Sequence, residues 1–380
     1  MYDVKGSRDR GLRWPPEWLA LTLLLFAALA LAGQPGVAWA QASQDATAET
    51  SPTGGNVPGG HLGTTSDAEL WGKVRQGIQG TVSIPDKQAG QMIQSEGESW
   101  RSWRNGPLTV WGGTALLLMI GVIALFFLVR GRIRIESGPS GRTIERFNEL
   151  ERFTHWLTAV CFIVLALTGL NLLYGKHVLL PILGPTVFAF IAMAGKYAHN
   201  YLAFGFMLGV VMMFVLWVRH NIPSKHDLQW LAQGGGLFMK GVHPPSKKFN
   251  AGQKLIFWSV IIGGLSISLS GIALLFPFQF PLFADTFAIL NVFGFSLPTT
   301  LTGMQEMQLA QSWHAIVGVA LIAIIIGHIY IGSLGMEGAF DAMGTGQVDE
   351  NWAREHHNLW VAEIKGESPG AGHGKAQPAE

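Results

Sequence analysis

The stretch W-H-A-I-V-G-V-A-L-I-A-I-I-I-G-H-I-Y, Trp313 to Tyr330, decides the fold. It is apolar over about the length that a helix needs to cross a bilayer, roughly 20 residues, yet it carries two imidazoles, His314 and His328. Their spacing corresponds to about 21 Å of helical rise and to a rotation about 40° short of whole turns, so both face one side of one helix. A titratable group in hydrocarbon is costly and marks function.

Four further runs have spanning length: Leu108 to Val129, Phe153 to Tyr174, Tyr197 to Val218 and Leu255 to Phe276; with Trp313 to Leu334 they make five. Charged residues are only 13% of the chain and the hydrophobic set reaches 49%, against roughly 25% charged in a soluble domain. The composition is that of an all-α membrane protein. A formal net charge of +1 gives no basic face for nucleic acid. Arg130, Arg132, Arg134, Arg142, Arg146 and Arg152 separate the first two spans; Arg219, Lys225, Lys240, Lys247, Lys248 and Lys254 separate the third and fourth. These loops are cytoplasmic by the positive-inside rule. The opposite loops hold only Lys176 and Lys196, or no Lys or Arg between Pro277 and Gln311.

Upstream, Lys5, Arg8, Arg10 and Arg13 precede the apolar run Leu19 to Ala32, and Ala38-Trp39-Ala40 offers a cleavage site. Residues 1–40 therefore read as a secretory signal, with an uncleaved anchor as the rival. Residues 41–107 read as an exported, partly disordered extension, interrupted by Trp71, Ile84, Trp100 and Trp103, which form an interfacial belt or a docking patch. The expected order is then an extra span at 108–129, a four-helix domain at 130–340 and a cytoplasmic tail at 341–380.

This topology places His155 at the inner end of its span, His199 and His314 near the outer face and His328 near the inner one. One such histidine is compatible with hydrogen-bonded packing; four in two depth-matched pairs point to ligation of two b-type haems. Two axial imidazoles leave no open iron position, which suits electron transfer. The lone Cys161 holds neither an iron–sulfur cluster nor a covalent haem, and its apolar helix makes it a packing residue. His220 is a competitor of His155, but its R-H-N-I-P context reads as a helix exit. His177, His226, His243, His356, His357 and His373 fall in loops or tails and are expected to be solvated. Gly169, Gly205, Gly209, Gly263, Gly264, Gly271, Gly318 and Gly327 would let helices or a flat porphyrin approach closely. Arg152 is a candidate for a haem propionate, with positive-inside bias as the alternative. Asn250-Ala251-Gly252-Gln253-Lys254 reads first as a helix start with Asn250 as N-cap.

From about Thr143 to Ile364 the sequence closely resembles the cytochrome b (gamma) subunits of respiratory membrane-bound formate dehydrogenases. The resemblance rests on E-R-F-T-H-W at 151–156, A-H-N-Y at 198–201, R-H-N-I-P at 219–223, N-A-G-Q-K at 250–254, W-H-A-I-V-G at 313–318, G-H-I-Y at 327–330 and W-A-R-E-H-H at 352–357. It implies a four-helix di-haem bundle in the bacterial inner membrane that takes electrons from an iron–sulfur beta subunit and passes them to menaquinone or ubiquinone. By resemblance, His199 and His314 ligate the outer haem and His155 and His328 the inner one. Asn250, Gly252 and Gln253, beside His328, would form the quinone pocket. Formate oxidation would belong to a separate molybdenum or tungsten alpha subunit. The extension and first span depart from the short members of that family. The rivals are the cytochrome b of a nickel–iron hydrogenase or thiosulfate-type reductase and, more remotely, an anchor or transporter, for which no inverted repeat of broken helices speaks.

Overall fold

The computed structural model describes residues 97–367. The expected signal, most of the extension, Trp71, Ile84 and His373 lie outside them. Among the described residues, five helices are long and apolar enough to cross a membrane, within Gly97–Arg130, Glu149–Val178, Leu180–His220, Ala251–Leu275 and Gly303–Gly335. Their order is α1 (Gly97–Trp103), a π turn (Arg104–Leu108), α2 (Thr109–Arg130), α3 (Glu149–Val178) and α4 (Leu180–Trp217). The short α5 (Lys225–Ala232) precedes α6 (Ala251–Leu275); α7 (Leu282–Asn291) and α8 (Gly303–Tyr330) follow.

Three spanning helices begin a turn or more before the apolar runs that announce them. The reason is a reciprocal cap: Asn148 with Glu151 on α3, Asn250 with Gln253 on α6, and Thr302 with Gln305 on α8. Each pair satisfies two backbone N–H groups that a helix start leaves without partners. The polar first turn is thus part of the helix although hydropathy excludes it. At the start of α4, Gly184 takes φ +73 just before Pro185 and bends the chain. Helix α7, absent from the expected elements, is held by Glu306, whose carboxylate accepts from Phe283 N at 2.8 Å and Ala284 N at 2.7 Å.

Helices α3, α4, α6 and α8 form the bundle, and α2 docks beside it. Tyr174 Oη donates to Thr109 O at 2.8 Å. A side chain at Gly112 would meet Tyr174 Oη at 3.0 Å and Val319 Cγ2 at 3.4 Å. Phe126 and Phe127 pack edge-on to Tyr330. Leu117, Leu118, Leu128 and Val129 remain exposed, as lipid-facing side chains are in a protein of this composition. The chain is an integral membrane protein.

The segment expected as a tail is instead folded through Glu367. Strand β1 (Thr143–Glu145) pairs antiparallel with β2 (Gln347–Asp349), and Ile133 bridges Met336. Helices α9 (Asp341–Gly344), α10 (Glu350–His356) and α11 (Asn358–Lys365) complete this unit. Glu355 accepts from Glu136 N and Ser137 N, and Asp349 accepts from Ser140 N and caps α10. Glu350, 4% exposed, meets Arg142, Arg354 and Lys365. Both basic loops join the unit: Arg130 Nε donates to Leu237 O, Glu136 accepts from Gly241 N, and Ser246 O receives Leu359 N. The two basic loops and the C-terminal segment therefore share one end of the bundle, as the charge pattern required.

His356 and His357 are not solvated as expected. His357 is 1% exposed, with Nδ1 at 2.7 Å from Lys247 O, and both rings pack on Trp352. Burial pushes His356 down to about 4 and His357 well below the ordinary 6.5. As pH falls from 6.5 towards 4 the unfolded segment binds protons that the folded one refuses, so stability of the cap falls. Asp349 and Glu350, the latter held low foremost by its bond from Lys365, contribute stability above their ordinary values that is lost at still lower pH. Hydrogen exchange of the membrane-embedded chain should show amides of α10 and α11 losing protection between pH 7 and 4 while α6 and α8 keep theirs. Uniform loss, or none, would contradict this account.

Candidate functional site

Two imidazole pairs lie inside the bundle. The rings of His199 (α4) and His314 (α8) have centroids 6.1 Å apart. Those of His155 (α3) and His328 (α8) are also 6.1 Å apart. The second pair is at the end that carries the folded cap, where Trp156 Nε1 donates to Met343 O at 2.9 Å. The first lies about 21 Å along α8 from the second.

The pair His199 and His314 is built by the same device twice. Thr168 Oγ1 donates to Val164 O at 2.7 Å and stands 2.8 Å from His199 Nδ1. Ser270 Oγ donates to Ile267 O at 3.0 Å and stands 3.0 Å from His314 Nδ1. A hydroxyl has one proton. With that proton directed to the helix carbonyl, the oxygen accepts from Nδ1–H, which leaves Nε2 of each ring as a free lone pair. The residue after each hydroxyl is glycine: a Cβ at Gly169 would come to 3.5 Å of His199 Cε1, and one at Gly271 to 3.3 Å of His314 Cε1. Helices α3 and α6 thus each present a hydroxyl and a bare backbone, and α4 and α8 present the imidazoles. Sequence reading had these glycines admitting a neighbouring helix or a flat porphyrin, and missed the hydroxyls, because a Thr or Ser bonded to its own helix has no distinctive spacing.

At the other pair, His155 Nδ1 is buried with no hydrogen-bond partner among the described residues, and the ring lies edge-on to Trp156. His220 does not compete for this position; Arg219 Nε donates to its Nε2 at 3.1 Å and its ring lies near Phe249. Arg152 reaches the cap. Its guanidinium donates to Met343 O at 3.4 Å and Gly344 O at 2.5 Å, tying α3 to the cap.

Asn250 is the N-cap that local chemistry suggested. Its Oδ1 accepts from Gln253 N at 2.9 Å, and Gln253 Oε1 accepts from Asn250 N at 3.1 Å and from Arg146 at 3.3 Å. Gly252 is needed against Trp230, whose Cη2 a Cβ would meet at 2.9 Å. Lys254 Nζ binds Asp227 at 2.8 Å and Ile222 O at 3.0 Å. Arg146, read in the sequence only as a topology charge, is buried against Phe147, Trp352 and Trp360 and donates to Lys248 O at 2.7 Å. Burial pushes its guanidinium down to about 9, against the attraction of Glu151.

A sequence model of the prokaryotic cytochrome b561 family matches residues 146–346, more than half of the chain and all four paired histidines. The chain belongs to this family. Among curated proteins it is similar to the formate dehydrogenase cytochrome b556(fdo) subunit of Escherichia coli K12, 29% identical over 59% of this chain and 94% of that protein. It is similar also to the nitrate-inducible formate dehydrogenase cytochrome b556(Fdn) subunit of that organism, 28% identical over 59% of this chain and 93% of the relative. The formate dehydrogenase cytochrome b556 subunit of Haemophilus influenzae is 25% identical over 60% of the chain and 87% of its own length. A cytochrome b561-family protein of this kind is a membrane b-type cytochrome, and its cofactor is haem b.

The residues fit that cofactor. Two metal–imidazole bonds of about 2 Å, with two ring radii of about 1.1 Å, give a centroid separation of roughly 6 Å; each pair has 6.1 Å. Orientation by hydroxyls on the far nitrogen is the usual support of a metal-binding imidazole. Gly271→Val should therefore displace His314 and abolish one haem signal in the reduced spectrum. Gly121→Val, at a position with nothing within 4 Å, should leave haem content unchanged; equal content in both variants would contradict this reading.

Proposed function

We propose that this chain is the cytochrome b subunit of a formate dehydrogenase, with His199 and His314 holding one haem b and His155 and His328 a second. The observation that carries the reading is the equal separation of the two imidazole pairs, 6.1 Å each, at two levels of one bundle. The similarity to formate dehydrogenase cytochrome b556 subunits supports formate, rather than hydrogen or thiosulfate, as the origin of the electrons. An anchor or transporter would have no need for two facing pairs.

In this reading the cap faces the cytoplasm of the bacterial inner membrane, because both Arg- and Lys-rich loops lie at that end. Electrons arrive from an iron–sulfur subunit at the opposite face, that of His199 and His314, and leave to menaquinone or ubiquinone at the capped end. The partner that oxidises formate carries molybdenum or tungsten. When bound, the haems would be held by His199 with His314 and by His155 with His328, and would supply one-electron carriers. The protein's own work is orientation and exclusion. Thr168 and Ser270 fix the tautomer of their imidazoles, and the apolar faces of the four helices keep water from the rings.

Asn250, Gly252 and Gln253 would form the quinone pocket together with His328. Because the cap of α6 uses both amide oxygens, the amide nitrogens are the groups left to donate to a quinone carbonyl. Gly252 lets Trp230 lie over the helix start, and Arg146 holds Gln253 from behind. Arg152, bonded to Met343 and Gly344, would serve the inner haem through the position of α3 rather than by holding its propionate.

The test is formate-driven haem reduction in membranes that carry the assembled complex. Formate should reduce two b-type haems, and a quinone-site inhibitor should leave both reduced. His314→Ala should remove one haem and stop formate from reducing the other, while dithionite still reduces it. Reduction by hydrogen but not formate, or unchanged haem content in His314→Ala, would overturn the assignment.

A further inference from the structure

The helix that precedes the bundle does more than dock beside it. A cavity of about 720 Å³ contains the facing edges of His199 and His314, and part of its wall comes from Trp100, Arg104 and Leu108. Those residues belong to α1 and the π turn, outside the residues matched by the family. The wall is largely apolar, and its lysine and arginine residues are Arg104 and Lys196. Trp100 Nε1 is buried with no hydrogen-bond partner among the described residues. The guanidinium of Arg104 lies 6.0 Å from the centroid of the Trp100 ring, one helical turn on.

The turn is held at this level. Thr109 Oγ1 donates to Arg104 O at 2.6 Å, next to Pro107, which has no N–H to give, and Tyr174 Oη pins Thr109 O to α3. π turns of this kind occur frequently at functional sites. A buried indole N–H without an acceptor and a guanidinium beside it, in a largely apolar wall, are matched to a carboxylate: the anion needs donors there, and the indole N–H needs an acceptor. Haem b carries two propionates, and the cavity offers two cations.

We propose that α1 and its π turn are part of the cofactor site, with Trp100 Nε1 and Arg104 binding one propionate carboxylate of the haem between His199 and His314, and Lys196 binding the other. This rests on the two-haem reading above. The first segment of the described chain is then a functional wall of that site rather than only a membrane anchor. A fixed cation beside a propionate stabilises the reduced haem, which carries one more negative charge than the oxidised form. Removing the cation lowers the midpoint potential of that haem and leaves the distant one unmoved.

The experiment is a potentiometric titration of the full chain in nanodiscs, followed by absorbance, with the His314→Ala variant used to assign the two components. Arg104→Gln should lower the reduced-to-oxidised ratio of the His199/His314 haem, at its wild-type midpoint, by up to about tenfold, equivalent to about 59 mV for one electron. Arg104→Lys should restore most of it, and Trp100→Phe should shift the same component in the same direction. Wild-type chain with fewer than two haems would overturn the reading beneath. Two haems with an unmoved midpoint in Arg104→Gln and Trp100→Phe, or equal movement of both components, would overturn this inference and leave that reading intact.

Discussion

Two pairs of imidazoles held inside an apolar bundle, with ring centroids 6.1 Å apart in each pair, are the constraint on which the remaining architecture depends. Each ring must present one nitrogen inward and dispose of the other. At the His199 and His314 level this is done by Thr168 and Ser270, hydroxyls anchored to their own helices. The glycines beside them keep the backbone clear of the rings. All four bundle helices are thereby committed: two supply imidazoles and two supply their supports. A change of register in any one helix would separate a ring from its support, and net hydrogen bonds of about 1 kcal/mol each would be lost with the geometry.

The two ends of the bundle are built differently. At one, residues 131–148, 218–250 and 336–367 are stitched into a cap by backbone bonds, a short strand pair and the buried Glu350 cluster. Arg152 and Trp156, flanking His155, bond to the cap through Met343 and Gly344. The position of α3, and hence of His155, is tied to a unit outside the apolar layer. At the other end the loops are short or apolar, and α1 and its π turn close the cavity instead. One end is a polar, folded cap; the other holds a largely apolar cavity lined in part by α1 and its π turn.

Much of this was legible in the sequence, for stated physical reasons. Five spans follow from the length of apolar runs, and the shared end of the basic loops from the placement of Arg and Lys. The two levels of the imidazole pairs follow from the fourteen-residue interval between His314 and His328, which helical geometry converts directly into depth and face. Asn250 as an N-cap was legible because capping chemistry is local. The cap itself was not: three-residue strands pairing Thr143–Glu145 with Gln347–Asp349 leave no periodic signal. Burial of His356 and His357 depends on that non-local pairing, so a sequence window rich in charge read as solvated. Arg152 had the right type and position for a propionate; its bonds to carbonyls of the unseen cap were not legible. Thr168 and Ser270 acquire meaning only from partners on other helices.

The central claim is that the bundle holds two haems, each between two imidazoles. Electron paramagnetic resonance of the oxidised, purified chain tests it most directly, because the spin state of ferric haem reports whether both axial positions are filled by nitrogen ligands. The account predicts two distinct low-spin signals of equal intensity and no high-spin signal. A high-spin component in the intact chain, or a single low-spin haem, would contradict it.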